Sequence, residues 1–151
     1  MTPHIDTERL LFPKLGILYN FANPYLWTFF RVILGLWLIP HGYPKLFLDD
    51  AIPASKNFVN FGWDYPIIWA YFIGCVEFFG GILLTLGLGT RLVAFMVSVQ
   101  MFVISFAVLY PTWGWGKKGM EYALLWGIMC LILVIKGGGK YSVDRFLPKE
   151  L

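Results

Sequence analysis

Residues 64–117 read DYPIIWAYFIGCVEFFGGILLTLGLGTRLVAFMVSVQMFVISFAVLYPTWGWGK, and this stretch decides the fold. Between Asp64 and Arg91 lie 26 residues whose single charge is Glu77, and between Arg91 and Lys117 there is no formal charge. A helix needs about 20 apolar residues to cross a bilayer's hydrocarbon core, so both runs are long enough. Gly87-Leu88-Gly89-Thr90 reads as the tight turn between them, and Tyr110-Pro111 with the Trp/Gly-rich segment behind it ends the second. Working outward, a run from about Pro24 to Phe47, interrupted early by Arg31, precedes this pair. A run from about Met120 to Ile135, with Glu121 at its mouth, follows and stops at Lys136-Gly137-Gly138-Gly139, a cation at the negative end of the dipole ahead of glycines. The expected spans are residues 24–47, 66–88, 91–110 and 120–136. The fold class is therefore all-α, a polytopic integral membrane four-helix bundle. Helices are required because no lipid-exposed backbone group can stay unpaired, and nothing alternates as barrel strands do. Residues 1–23 form an N-terminal cytoplasmic or interfacial segment, 24–146 the membrane domain and 147–151 a tail. In the first loop, about Leu48 to Tyr65, Pro53 can open a short interfacial helix that turns Phe58 and Phe61 toward lipid or protein.

Composition agrees. The chain has 151 residues, 58% hydrophobic and 14% charged, with a mean hydropathy of +0.67. Soluble domains run nearer about 45–50% apolar and about 25% charged. A chain this short has too little interior to hide so much apolar surface, and disorder needs the opposite balance. The net charge of +3 is a topology signal and gives no nucleic-acid footprint. Arg9, Lys14, Arg91, Lys136, Lys140, Arg145 and Lys149 fall on one side of the four spans; Lys45, Lys56, Lys117 and Lys118 fall on the other. That asymmetry places both termini in the cytoplasm. Tyr25 and Trp27 mark one interface, and Trp63, Tyr65, Tyr110, Trp113 and Trp115 the other. Met1–Asn20 carries Asp6, Glu8, Arg9 and Pro13 and does not read as a cleaved signal peptide. Cys75 and Cys130 sit in apolar runs without a CxxC spacing and read as small buried residues.

Three ionisable groups inside apolar runs carry whatever chemistry there is: Arg31, Glu77 and Glu121. A charge at mid-bilayer costs roughly 2.5–3.5 kcal/mol, so such groups turn inward and find partners. Glu77 lies deepest and must be protonated or paired. Arg31, on an antiparallel neighbour, is its expected partner. The pair either locks two helices together or serves proton- or electron-coupled chemistry; alternatively Arg31 snorkels to the interface. His41, Lys45 and Glu121 should gather at the outer end, where Pro40 and Pro44 free backbone carbonyls. The two histidines, His4 and His41, do not suffice for a haem or metal centre within one chain. Small residues form close-approach faces: Ala70, Gly74 and Gly81 beside Glu77, and Ala94, Ser98 and Ser105 on the third span.

Six short motifs in order, Arg31-x3-Gly35, His41-Gly42-x2-Lys45, Glu77-x2-Gly80-Gly81, Gly87-x2-Thr90-Arg91, Glu121 and Gly137-Gly138-Gly139-x-Tyr141-Ser142-x-Asp144, resemble the DoxX family from about residue 25 to 146. The resemblance implies a small four-helix protein of a bacterial or archaeal cytoplasmic membrane, related to the membrane subunit of a thiosulfate:quinone oxidoreductase. It carries over Arg31, His41, Lys45, Glu77, Arg91 and Glu121 as pocket residues and not as established catalytic ones; under a quinone-linked reading Arg31, His41 and Glu77 are the candidate catalytic groups and Arg31, His41, Lys45, Glu77 and Glu121 the candidate quinone pocket, with no metal expected. The partners it implies are the lipid bilayer, a quinone and a redox protein; an oligomer is compatible with it, and nucleic acid is not expected. The extended N-terminal region and the Trp/Gly-rich third loop depart from the family pattern. Three functions stay open: a quinone-linked oxidoreductase or a subunit of one, a non-catalytic membrane anchor or assembly subunit, and a small-molecule or ion carrier.

Overall fold

The computed structural model describes residues 6–117 and 119–149; His4, Lys118, the end of the tail and the Trp115 side chain lie outside what is described. Five helices carry the fold: α1 (Leu15–Phe47), α2 (Ala51–Asn60), α3 (Pro66–Leu86), α4 (Thr90–Val103) and α5 (Glu121–Lys136). α4 runs on without a break into a wider π-wound turn, Ile104–Leu109. No strand occurs among the described residues. Three helices are long and apolar enough to cross a membrane: α1, α3, and α4 with its π extension.

α1 begins at Leu15 and not at Pro24, because Leu15, Ile17, Leu18 and Phe21 carry the apolar helical pattern upstream. Pro24 then costs one backbone hydrogen bond without ending the helix. At 33 residues α1 is about 50 Å long. α2 starts at Ala51, two residues ahead of Pro53, and turns Phe58 inward onto Ala51 and Ala70, so Phe58 faces protein. α3 opens with Pro66 in its first turn and stops at Gly87, whose positive φ of 74° turns the chain so that the next N–H, that of Leu88, reaches back to the Leu83 carbonyl at 2.9 Å.

Glycines set the α1–α3 contact. A Cβ on Gly42 would meet the Phe78 backbone, and one on Gly35 would meet the backbone of Gly81 and Thr85. One on Gly74 would meet the stems of Lys45 and Leu46. The small face of α3 is thus buried against α1, and the backbones approach closely. α4 packs along α5 through its own small stripe, with the Ser98 hydroxyl donating to the Gly127 carbonyl at 3.0 Å. Leu34, Leu38, Leu84, Val97, Trp126 and Leu133 fill the shared core. Cys130 is buried there as expected, whereas Cys75 is exposed on the outer face of α3. It follows Gly74 by 100° of helical rotation, which carries it off the packed face.

Candidate functional site

The polar groups sort into two constellations, one at the C-terminal end of α3 and one near its middle. The first is a clasp. The Arg31 guanidinium, 1% exposed, donates to the carbonyls of Leu84 at 2.6 Å, Thr85 at 2.9 Å and Tyr141 at 2.8 Å. Asp144 accepts from the backbone N–H groups of Gly89 (2.6 Å) and Thr90 (3.0 Å), and so caps α4 from a distant part of the chain. The Asp144 N–H donates to the Gly87 carbonyl at 2.8 Å. Trp27 Nε1 donates to Gly137 O at 2.9 Å, with Lys136 Nζ over its ring, and Arg91 donates to the carbonyls of Val134 and Ile135 at the end of α5. Helix carbonyls orphaned at the ends of α3 and α5 thus receive charged donors, and orphaned N–H groups of α4 receive a carboxylate.

The expected Arg31–Glu77 pair does not form. The register that sets Gly42 against Gly74 and Gly35 against Gly81 places Arg31 level with Thr85, two helical turns from Glu77. Glu77, 4% exposed, is instead held at the other constellation. Lys45 Nζ donates to Glu77 Oε2 and to the His41 carbonyl, the latter at 2.9 Å. Gln100 Nε2 donates to Glu77 Oε1 at 2.6 Å. Lys45 reaches Glu77 because its stem passes Gly74, one turn before Glu77 on the same face.

Two cavities flank this ion pair. The larger, about 580 Å³, is bounded by Leu38, His41 and Lys45 of α1, by Glu77, and by Tyr122 and Trp126 of α5. It exists because α1 packs on α3 and α5 packs on α4, while α1 and α5 scarcely touch. The clasp closes that seam at one end only. The smaller cavity, about 220 Å³, lies on the α2 side and shares Lys45, Glu77 and Ile104 with the larger. The π-wound turn passes between them, a winding often found at functional sites. Of the residues expected in the pocket, His41, Lys45 and Glu77 come together. Arg31 stands apart in the clasp, and Glu121, the first residue of α5, precedes the lining residues Tyr122 and Ala123 without lining the cavity itself. Gln100 was missed, although it is the one amide side chain in the third span; Trp126 carried no polar signal.

These features define a multi-pass helical membrane protein with an ionisable site buried beside a cavity between its helices. The model of the DoxX family matches residues 26–109, and the chain belongs to that family. A Haemophilus influenzae protein named "Uncharacterized protein" is 34% identical over 136 residues, covering 85% of this chain and 95% of its own. A Bacillus subtilis protein named "Putative oxidoreductase CatD" is 27% identical over 119 residues, 79% of this chain and 84% of its own. No solved structure gives a significant match.

Proposed function

We propose that the chain is a redox-associated component of a bacterial or archaeal cytoplasmic membrane that binds a quinone in the larger cavity, between α1 and α5. The carrying observation is the Lys45–Glu77 ion pair on the wall of a cavity otherwise mostly apolar. An apolar cavity with a few convergent polar groups suits an amphipathic ligand. Lys45 has a third N–H to offer a carbonyl oxygen, beyond those given to Glu77 and the His41 carbonyl. Reduction of a quinone carbonyl consumes a proton, which the Lys45–Glu77 pair can supply while a redox partner supplies electrons. His41 stands at the same cavity as a second group able to exchange a proton. The name of the Bacillus relative agrees with a redox role.

In this reading α5 is a fourth span. Its 16 residues cover about 24 Å, but it packs along α4, and the clasp residues that follow it sit level with the α3–α4 turn. A modest local thinning accommodates the difference. Both termini lie on the cytoplasmic side with the clasp, and α2 lies in the opposite interface. Arg31 then has a structural role and the catalytic candidates are Glu77, Lys45 and His41.

The test is a titration of the protein in lipid nanodiscs with decylubiquinone, read by quenching of Trp126 emission against a Trp126→Phe control. Saturable quenching is expected, with affinity reduced about tenfold in Lys45→Met, the size of one lost hydrogen bond to a charged donor. Ala123→Phe, which fills the cavity, should abolish it. No saturation in the wild type, or equal affinity in all variants, would overturn the reading.

A further inference from the structure

The smaller cavity has a different character from the larger. Its outer wall is aromatic: Phe58 of α2, Phe61 and Trp63 of the loop that follows it, and Trp69 and Phe72 of α3. The Trp63 and Trp69 rings meet edge-on at 5.1 Å, and Phe58 and Trp63 lie 5.4 Å apart. The polar group of buried Glu77 and Gln100 with half-buried Lys45 also lines it. Gln100 is 7% exposed; with Nε2 committed to Glu77, its Oε1 is buried without a hydrogen-bond partner among the described residues. Buried acceptors of this kind call for a donor.

We propose that this cavity is a second binding site, for a planar aromatic molecule of one or two rings bearing a hydroxyl group. A cavity of about 150 Å³ holds benzene; at about 220 Å³ this one has room for a substituted ring or a ring pair. Edge and face contacts from five aromatic side chains favour a flat π system over a saturated chain. The hydroxyl supplies the donor that Gln100 Oε1 lacks, which an acyl chain cannot do. Val99 and Phe72 on the rim are exposed on the lipid-facing surface, so the ligand reaches the site from the bilayer. Because Glu77 is the common wall, a ligand here touches the network that holds the carboxylate facing the larger cavity. The two sites are nonetheless separate, and either can exist without the other.

The probe is 4-hydroxybenzophenone, photolysed with the protein in nanodiscs, with adducts mapped by peptide mass spectrometry. Its excited ketone inserts preferentially at methionine C–H bonds. Met96 lines the smaller cavity and Met101 the larger, so the label reports which one is filled. Expected are saturable labelling at Met96, competition by excess 2-naphthol, and at least fivefold less labelling by benzophenone, which lacks the hydroxyl. Val99→Phe places bulk at the rim from an exposed position and should remove the Met96 label, whereas Ala123→Phe should leave it. Labelling confined to Met101, labelling without saturation, equal labelling by the two probes, or competition by palmitate but not naphthol would each overturn the proposal. The decylubiquinone titration tests the larger cavity independently.

Discussion

Replacing Arg31 by Met tests the clasp directly. The guanidinium makes three hydrogen bonds to main-chain carbonyls at 2.6–2.9 Å, and Asp144 is close enough to act on its charge. Charged hydrogen bonds contribute about 1.5–3 kcal/mol each, against a desolvation cost of several kcal/mol for burying the guanidinium. Breaking a buried charged network typically costs about 3–5 kcal/mol. Here the loss should fall near the lower end, about 3 kcal/mol, because Asp144 keeps the N–H groups of Gly89 and Thr90. The folded-to-unfolded ratio would drop by about two powers of ten. Equilibrium unfolding in mixed dodecylmaltoside and dodecyl sulfate micelles, followed by helical circular dichroism, reads this out. Double variants locate the partner. Arg31→Met with Asp144→Asn should be non-additive, since both act in one network. Arg31→Met with Glu77→Gln should be additive within about 0.5 kcal/mol, because two helical turns, about 11 Å, separate the two groups along α3. Wild-type stability in Arg31→Met, or strong coupling to Glu77, would refute the assignment.

Asp144→Asn keeps the shape of the α4 cap but removes its charge and should cost about 1–2 kcal/mol in the same unfolding assay. Gly42→Ala drives a Cβ into the Phe78 backbone and should destabilise by about 2 kcal/mol or more, whereas Gly116→Ala, with open space around it, should be neutral; both are read as micelle unfolding midpoints. Glu77→Gln should be less stable than the double variant Glu77→Gln with Lys45→Met, because the single change leaves a half-buried ammonium without its anion. In detergent, a small apolar maleimide that partitions into the micelle should modify lipid-facing Cys75 slowly but well ahead of Cys130, which is spared until the protein is unfolded, as intact mass spectrometry can follow.

Much of the architecture was legible because lipid imposes simple rules. The 64–117 stretch could only be two long helices around a tight turn, and α3, α4 and their glycine punctuation lie within a few residues of where the pattern put them. The small faces were legible too, since periodicity at 100° per residue places Gly74, Glu77 and Gly81 together. What failed was partner choice. Depth arithmetic alone made Arg31 and Glu77 plausible neighbours. The actual register follows from which glycine faces which, and Gly42 against Gly74 slides Arg31 past Glu77 to the end of α3. Gln100 and Asp144 were underrated for a related reason. Each acts on groups from another helix, and neither the orphaned N–H groups of Gly89 and Thr90 nor the second oxygen of Glu77 is visible in a periodic pattern.

The clasp also bears on the order of assembly. The carboxylate that closes the amino end of α4 comes from 55 residues downstream of Gly89. During synthesis the α3–α4 hairpin therefore leaves the ribosome with that end open and with Arg31 unmatched by Tyr141. The seal arrives only with the stretch that follows α5, so a stop codon ahead of Asp144 would yield inserted helices lacking this fastening and exposed to membrane proteases.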